Sequence, residues 1–294
     1  RAQTTIMGAT TPDNFKEAIA ALDDGLDPYM VEIYSWPQKL TATVELPGDV
    51  RDFDQDTAAG QAGRLQFITA LDKQSGREKW RTARTGKMNA NPQLKKAYGT
   101  PLITMANGKD VLFSPGADWL YGYDPATGRE LWKLAYGMLG FSIVPRPVAG
   151  HGMLYMSTSF MRPQLLAVRY EKTTKPHIAW KYNRGVSNQP SPILVGDEVY
   201  FVGDSGGLVT CLDAHSGEVH WRERIGGNYS ASPLHANGKL YFQSREGETT
   251  VLKPGKTFKV LAKNKLDGQH MASPAVDANA MILRTDKALY RIEE

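Results

Sequence analysis

The sequence predicts an all-β chain, a β-propeller of four-stranded antiparallel blades, on three observations. Five prolines, Pro101, Pro147, Pro192, Pro233 and Pro274, recur at intervals of 46, 45, 41 and 41 residues, and each opens a short apolar run. Between them, ALDKQSGREKW (Ala70 to Trp80), GYDPATGRELW (Gly122 to Trp132) and CLDAHSGEVHW (Cys211 to Trp221) share Asp, Ser or Thr, Gly and Trp in one register. No stretch of helical period is visible between Leu102 and Glu294, so helical solenoids fit worse. A repeat of about 40 to 45 residues carrying four strands is the arithmetic of a propeller blade.

The first 60 residues differ from the rest. TTPDNFKEAIAALDDG (Thr10 to Gly25) has a Thr-Pro-Asp start, apolar residues at Phe15, Ala18, Ile19 and Leu22, and a closing Gly, so it reads as one short helix. MVEIYSW (Met30 to Trp36) and KLTATVEL (Lys39 to Leu46) read as strands, and RDFDQDTAAGQAG (Arg51 to Gly63) as an exposed loop. Asp49, Asp52, Asp54 and Asp56 alternate there as in a calcium loop, but the required Gly and distal Glu are missing, so a solvated run is the better reading. The expected organisation is an N-terminal extension, 1–38, followed by the propeller, 39–294.

The shared signature reads as a hairpin. Asp72, Asp124 and Asp213 accept backbone N–H bonds inside the turn, Gly76, Gly128 and Gly217 take positive φ, and Trp80, Trp132 and Trp221 bury a ring against the neighbouring unit. After each proline come the other two strands: PVAGHGMLYMS (Pro147 to Ser157), PILVGDEVYFVG (Pro192 to Gly203) and PLHANGKLYFQS (Pro233 to Ser244) each read as strand, Gly-containing turn and alternating strand. The third unit loses the turn signature over Leu165 to Trp180 but keeps Trp180, and the fifth has Lys253 in place of the Asp and no Trp. The last unit, from Pro274, ends on ALYRIEE with no fourth strand. Closure by pairing of N- and C-terminal strands would fill that edge, with Met30 to Trp36 or Lys39 to Leu46 as the closing strand. Six blades can be counted, with seven and eight as alternatives.

Composition bounds the function classes. A chain of 294 residues with 41% hydrophobic residues, 28 Gly and 17 Pro can bury a large core and make many turns. The formal charge of +4 is spread among both signs without a basic stripe or recognition motif, so no nucleic-acid partner is expected. Cys211 is the single cysteine, which rules out an intrachain disulfide and fits a small buried apolar residue better than a nucleophile. No run of 18 apolar residues exists, so no transmembrane helix is expected. No signal peptide is visible, and a start on Arg1 rather than Met points to processing or to residues lying upstream.

The LDxxTGxxxW signature behind a Ser-Pro hairpin resembles the PQQ-like, or quinoprotein-type, β-propeller repeat from about Leu65 to Glu294. Within that family the chain is most similar to bacterial repeat proteins without an assigned activity and to the outer-membrane assembly lipoprotein propeller. The resemblance implies one of two functions. Periplasmic quinoprotein dehydrogenases hold pyrroloquinoline quinone and calcium at the propeller axis and oxidise alcohols or sugars; the others are non-enzymatic scaffolds. The alcohol-oxidising members place a vicinal Cys-Cys disulfide over the quinone, which the lone Cys211 forbids, and no local segment supplies their calcium ligands or their Asp base. The expectation is therefore a non-catalytic binding or scaffold propeller of the bacterial envelope, periplasmic or secreted, with no cofactor, acting as a monomer or within an envelope complex. A protein or polysaccharide would be its partner.

In a propeller the loop leading into each innermost strand lines the mouth of the central channel. Here those loops hold Tyr98, Arg146, Asn188 with Gln189, Asn228 with Tyr229, and Gln269 with His270. They form the candidate ligand or partner funnel. No metal-ligand set is legible: His270 is the one histidine of that ring, and His215 occupies a turn where solvation explains it. Departures from the repeat, at Thr82 to Tyr98, Tyr170 to Pro176 and Arg51 to Gly63, mark where partner specificity would lie. The MLGF (Met138 to Phe141) and MRPQ (Met161 to Gln164) segments add apolar groups to the same list.

Overall fold

The structure is a computed structural model that describes residues 32–35, 40–43, 67–173 and 175–293. The helix expected over Thr10 to Gly25 and the loop expected over Arg51 to Gly63 lie outside those residues. Two compact units divide between Ala135 and Tyr136. Among the described residues every sheet is an antiparallel meander, and the sole helical element is a 3-10 turn at Pro92–Lys95.

The first unit holds two sheets. One comprises β1 (Glu32–Ser35), β2 (Leu40–Thr43), β3 (Phe67–Leu71) and β4 (Glu78–Ala83); the other comprises β5 (Leu102–Ala106), β6 (Lys109–Pro115), β7 (Trp119–Tyr123) and β8 (Glu130–Ala135). The second unit holds three further four-stranded sheets. These are β9 (Val148–Gly150), β10 (Met153–Ser157), β11 (Leu165–Arg169) and β12 (His177–Tyr182); β13 (Ile193–Val195), β14 (Glu198–Val202), β15 (Leu208–Asp213) and β16 (Val219–Arg224); and β17 (Leu234–Ala236), β18 (Lys239–Gln243), β19 (Glu248–Leu252) and β20 (Val260–Lys265). A three-stranded sheet, β21 (Ala275–Asp277), β22 (Ala280–Arg284) and β23 (Leu289–Glu293), follows. Both segments that the sequence offered as a closing strand contribute strands to the first sheet. β1 pairs with β2, and β2 with β3.

Burial follows position within the sheet. β10 and most of β11, β14 and β15 are buried along their whole length, because middle strands are covered on both faces. The outer strands β4 and β12 alternate with the period of two expected of a half-covered strand. Apolar side chains of adjacent sheets interleave. Met153, Tyr155, Leu165 and Ala167 pack with Val199, Phe201 and Leu212, while Tyr200, Val202 and Cys211 pack with Leu240, Phe242 and Leu252. Each buried Val, Leu, Phe or Met among them contributes about 1.5–3 kcal/mol by leaving water.

One irregularity repeats in all five four-stranded sheets. The third and fourth strands slip register by a bulge, between Ala70 and Leu71, Gly122 and Tyr123, Ala167 and Val168, Cys211 and Leu212, and Val251 and Leu252. In the first four sheets the bulge sets a Trp opposite a small residue: Trp80 on Ala70, Trp132 on Gly122, Trp180 on Ala167 and Trp221 on Cys211. At Gly122 a Cβ would lie 2.3 Å from the Trp132 ring. Cys211 is thus the buried small residue that the sequence suggested, and burial pushes its thiol up to about 12.

The Trp then reaches the next sheet. Trp80 Nε1–H donates to Pro125 O, Trp180 to Ala214 O and Trp221 to Gly255 O, each at 3.0 Å. The Asp-x-x-Ser/Thr-Gly turns are held by their aspartates. Asp213 Oδ1 accepts His215 N, Ser216 N and Ser216 Oγ, Asp72 Oδ1 makes the corresponding three bonds, and Asp124 Oδ1 accepts Ala126 N and Thr127 N. The Ser216 N–H foremost holds the Asp213 carboxyl below the usual range. Gly76, Gly128 and Gly217 all have positive φ, as the turn requires.

Candidate functional site

The loops that enter β9, β13, β17 and β21 are tied into one row by the serines of the Ser-Pro pairs, Ser191, Ser232 and Ser273, which were not among the expected site residues. Arg146 N–H donates to Ser191 Oγ at 2.9 Å, Ser191 N–H to Ser232 Oγ at 3.0 Å, and Ser232 N–H to Ser273 Oγ at 2.9 Å. Ser191 and Ser232 each serve the loop behind while their own backbone N–H is served by the next serine. The signal was present: Ser191, Ser232 and Ser273 recur at the same interval of 41 residues as their prolines.

A second recurrence braces the same loops. The Asp204 carboxylate accepts Asn188 N at 2.7 Å, Asn188 Nδ2 at 2.9 Å and Gln189 N at 2.9 Å. Glu246 accepts Asn228 N at 3.0 Å and Asn228 Nδ2 at 2.7 Å, and Asp286 accepts Gln269 N at 2.6 Å. Partial burial raises the Glu246 carboxyl, but the Asn228 donors outweigh it and hold the group below the usual carboxylate range. These carboxylates lie 42 and 40 residues apart, and they clamp backbone N–H groups. Between two clamps, Ser230 Oγ donates to Gln189 Oε1 at 2.7 Å, and Arg245 donates to both Ser230 Oγ and Gln189 Oε1, at 2.8 and 3.1 Å.

The funnel residues divide by depth. Arg146, Gln189, Asn228 and Gln269 are exposed and Asn188 is half-buried, all along the serine row; Tyr98, also half-buried, belongs to the first unit. Tyr229 and His270 instead have 1% and 0% exposure. They stand behind the loops as core, because the residue between the clamped position and the Ser-Pro segment points inward. Neither ring nitrogen of His270 has a hydrogen-bond partner, and burial lowers its basicity, so the imidazole is neutral at pH 7.

Beside this row stands an apolar surface. Met138, Phe160 and Met161 are 74%, 55% and 60% exposed. Their two loops brace one another: Gly140 and Met161 form an antiparallel bridge, Arg162 N–H donates to Leu139 O at 3.0 Å, and the Phe141 and Phe160 rings meet edge-on at 5.5 Å. Gly140 has φ 139°, and a Cβ there would lie 1.8 Å from Phe160 O, so this close approach needs glycine. Ser159 Oγ donates to Asn188 O at 2.6 Å and thereby joins the apolar loops to the row.

The sequence profile of the family described as outer membrane protein assembly factor BamB matches residues 65–209 and 178–257, most of the chain. The chain belongs to that family of PQQ-like repeat propellers. A curated member, outer membrane protein assembly factor BamB of Burkholderia pseudomallei (strain K96243), is 34% identical over 95 residues, 32% of this chain. That stretch spans 24% of the relative, about a quarter of its length. The crystal structure of BamB from Moraxella catarrhalis superposes with a TM-score of 0.62 at 16% identity, covering 88% of this chain and 70% of that one. A chain of the mitotic checkpoint complex superposes with a TM-score of 0.59 at 8% identity, over 92% of this chain and 77% of that one. At such identities both superpositions speak for the propeller fold alone.

Proposed function

We propose that the chain is a non-catalytic binding propeller of the bacterial envelope that presents its Ser-Pro-side loops to a protein partner. The observation that carries this reading is the exposed trio Met138, Phe160 and Met161, held on mutually braced loops beside the polar row. Large apolar side chains fixed in water, rimmed by polar groups, suit a protein surface better than a polysaccharide or a small molecule. The assembly-factor name carried by the family and by the Burkholderia protein supports a role beside other envelope proteins, periplasmic or secreted.

Quinone-dependent dehydrogenation has less support. Cys211 is single and buried, and the loop carboxylates Asp204, Glu246 and Asp286 already accept backbone N–H groups. No cofactor is needed for the proposed role. Co-purification from native envelopes tests it: Met161→Asp should lose the partner at unchanged melting temperature. A saturable rise in melting temperature with micromolar pyrroloquinoline quinone plus calcium would overturn the reading, since a ligand of the native state stabilises it by mass action.

A further inference from the structure

At the ends of the hairpins opposite the Ser-Pro loops, three turns bring His151, Asp197 and His215 together. His151 Nε2 lies 3.6 Å and His215 Nε2 3.4 Å from the same oxygen, Asp197 Oδ1, and the two imidazole centroids are 4.4 Å apart. One ligand atom from each residue falls within 4.8 Å of the others. We propose that these three side chains bind one divalent transition cation of the zinc class, with the fourth position left to water.

The geometry and the donor set both point there. Bonds of about 2.0–2.1 Å in a tetrahedral site put neighbouring ligand atoms about 3.3 Å apart, close to the two N···O separations found. Two imidazoles with one carboxylate suit zinc, copper or nickel and do not suit magnesium or calcium, which take oxygen. Each ligand sits on a fixed turn. His151 (φ 57°) occupies the β9–β10 hairpin, Asp197 follows Gly196 in the β13–β14 hairpin, and His215 lies in the aspartate turn before β16. Ala214 N–H donates to Asp197 O at 2.8 Å, which locks the last two turns together.

The turns themselves do not ask for these residues. Where His151 stands, the β5–β6 and β17–β18 hairpins carry Asn107 and Asn237, and where His215 stands, the aspartate turns of the first unit carry Gln74 and Ala126. The histidines and Asp197 therefore coincide at one junction only, between the sheets β9–β12 and β13–β16. A bound cation would join those sheets at their hairpin ends. Without metal, His151 Nε2 faces Gly196 O at 3.0 Å; loading exchanges that contact for the cation and leaves the ring proton on Nδ1.

The test is calorimetric titration of the full chain with zinc, paired with visible absorption of the cobalt-loaded protein. The expected result is one saturable micromolar site, a tetrahedral cobalt spectrum and a raised melting temperature. Each should be lost in Asp197→Ala and in His151→Ala and kept in His177→Ala and His235→Ala, whose histidines are exposed outside the cluster. Far-UV circular dichroism of the metal-free variants shows that the fold survives. Zinc affinity unchanged in the Asp197 and His151 variants, or no saturable site in the parent protein, overturns the proposal.

Discussion

Trp180 donates its indole N–H to the carbonyl of Ala214, in the turn of the following sheet, at 3.0 Å, and the Tyr155 hydroxyl donates to the same carbonyl at 3.1 Å. Two side chains from two strands of one sheet thus hold one peptide group of the next. Trp180→Ala should cost about 3 kcal/mol, because a large ring is removed from between sheets. Trp180→Phe should cost about 1 kcal/mol, the worth of one hydrogen bond. Urea unfolding of the two variants separates the ring from its N–H.

Gly217 lies under that ring, with φ 76° and an added Cβ 2.7 Å from Trp180 Cδ2. Gly238 has a similar φ of 65° but open space around it. Gly238→Ala should therefore cost only the backbone strain, about 1 kcal/mol, and Gly217→Ala more. Combining Gly217→Ala with Trp180→Ala should recover part of the difference, as measured by a double-mutant cycle.

The Asp-x-x-Ser/Thr-Gly register was legible in the sequence because each residue has a local task within one turn. The post-proline hairpins were legible for the same reason. What long-range pairing decided was not. The pairing of β1 with β2 and of β2 with β3 was not legible in Met30 to Trp36 and Lys39 to Leu46, because a strand's partner is chosen by segments distant in sequence. The polar row was found at Asn188, Asn228 and Gln269, but its fasteners, Ser191, Ser232 and Ser273, act on neighbouring units and looked like mere companions of proline. Tyr229 and His270 were placed at the channel mouth by their position in the loops before the prolines, whereas the structure buries them. His151, Asp197 and His215, 64 residues apart at their extremes, meet through the stacking of two repeats.

His270 gives the stability a pH dependence with a definite sign. Its folded basicity is lowered by burial, so between the unfolded value near 6.5 and the lower folded value the unfolded chain binds more protons. Stability should therefore fall as the pH drops from 7 toward 5. Denaturant midpoints across that range should fall less steeply in His270→Leu than in the parent protein.

Cys211, buried opposite Trp221 with its thiol raised to about 12, should resist alkylation in the native state and react once the chain unfolds. Cys211→Ala should be mild, since Ala70 and Ala167 occupy the equivalent place beside Trp80 and Trp180. Cys211→Leu should cost about 1–3 kcal/mol by overpacking. Thiol labelling with and without denaturant, and thermal melts, check both statements.

Loss of one serine fastener should cost about 1 kcal/mol, the worth of a neutral hydrogen bond, at Ser191, Ser232 or Ser273. The losses should not simply add, because Ser191 and Ser232, and Ser232 and Ser273, are directly hydrogen-bonded links of one row. Hydrogen exchange at Arg146 N, Ser191 N and Ser232 N reports the change locally.

The most direct test of the proposed role is photocrosslinking in native bacterial envelopes, with a photoreactive residue at position 161 and a control at position 260, exposed on β20. A discrete protein adduct at 161, absent at 260 and lost when Phe160→Ala is added, is the expected result. Equal labelling at both positions, or none at either, would contradict a protein-binding surface on the Ser-Pro side.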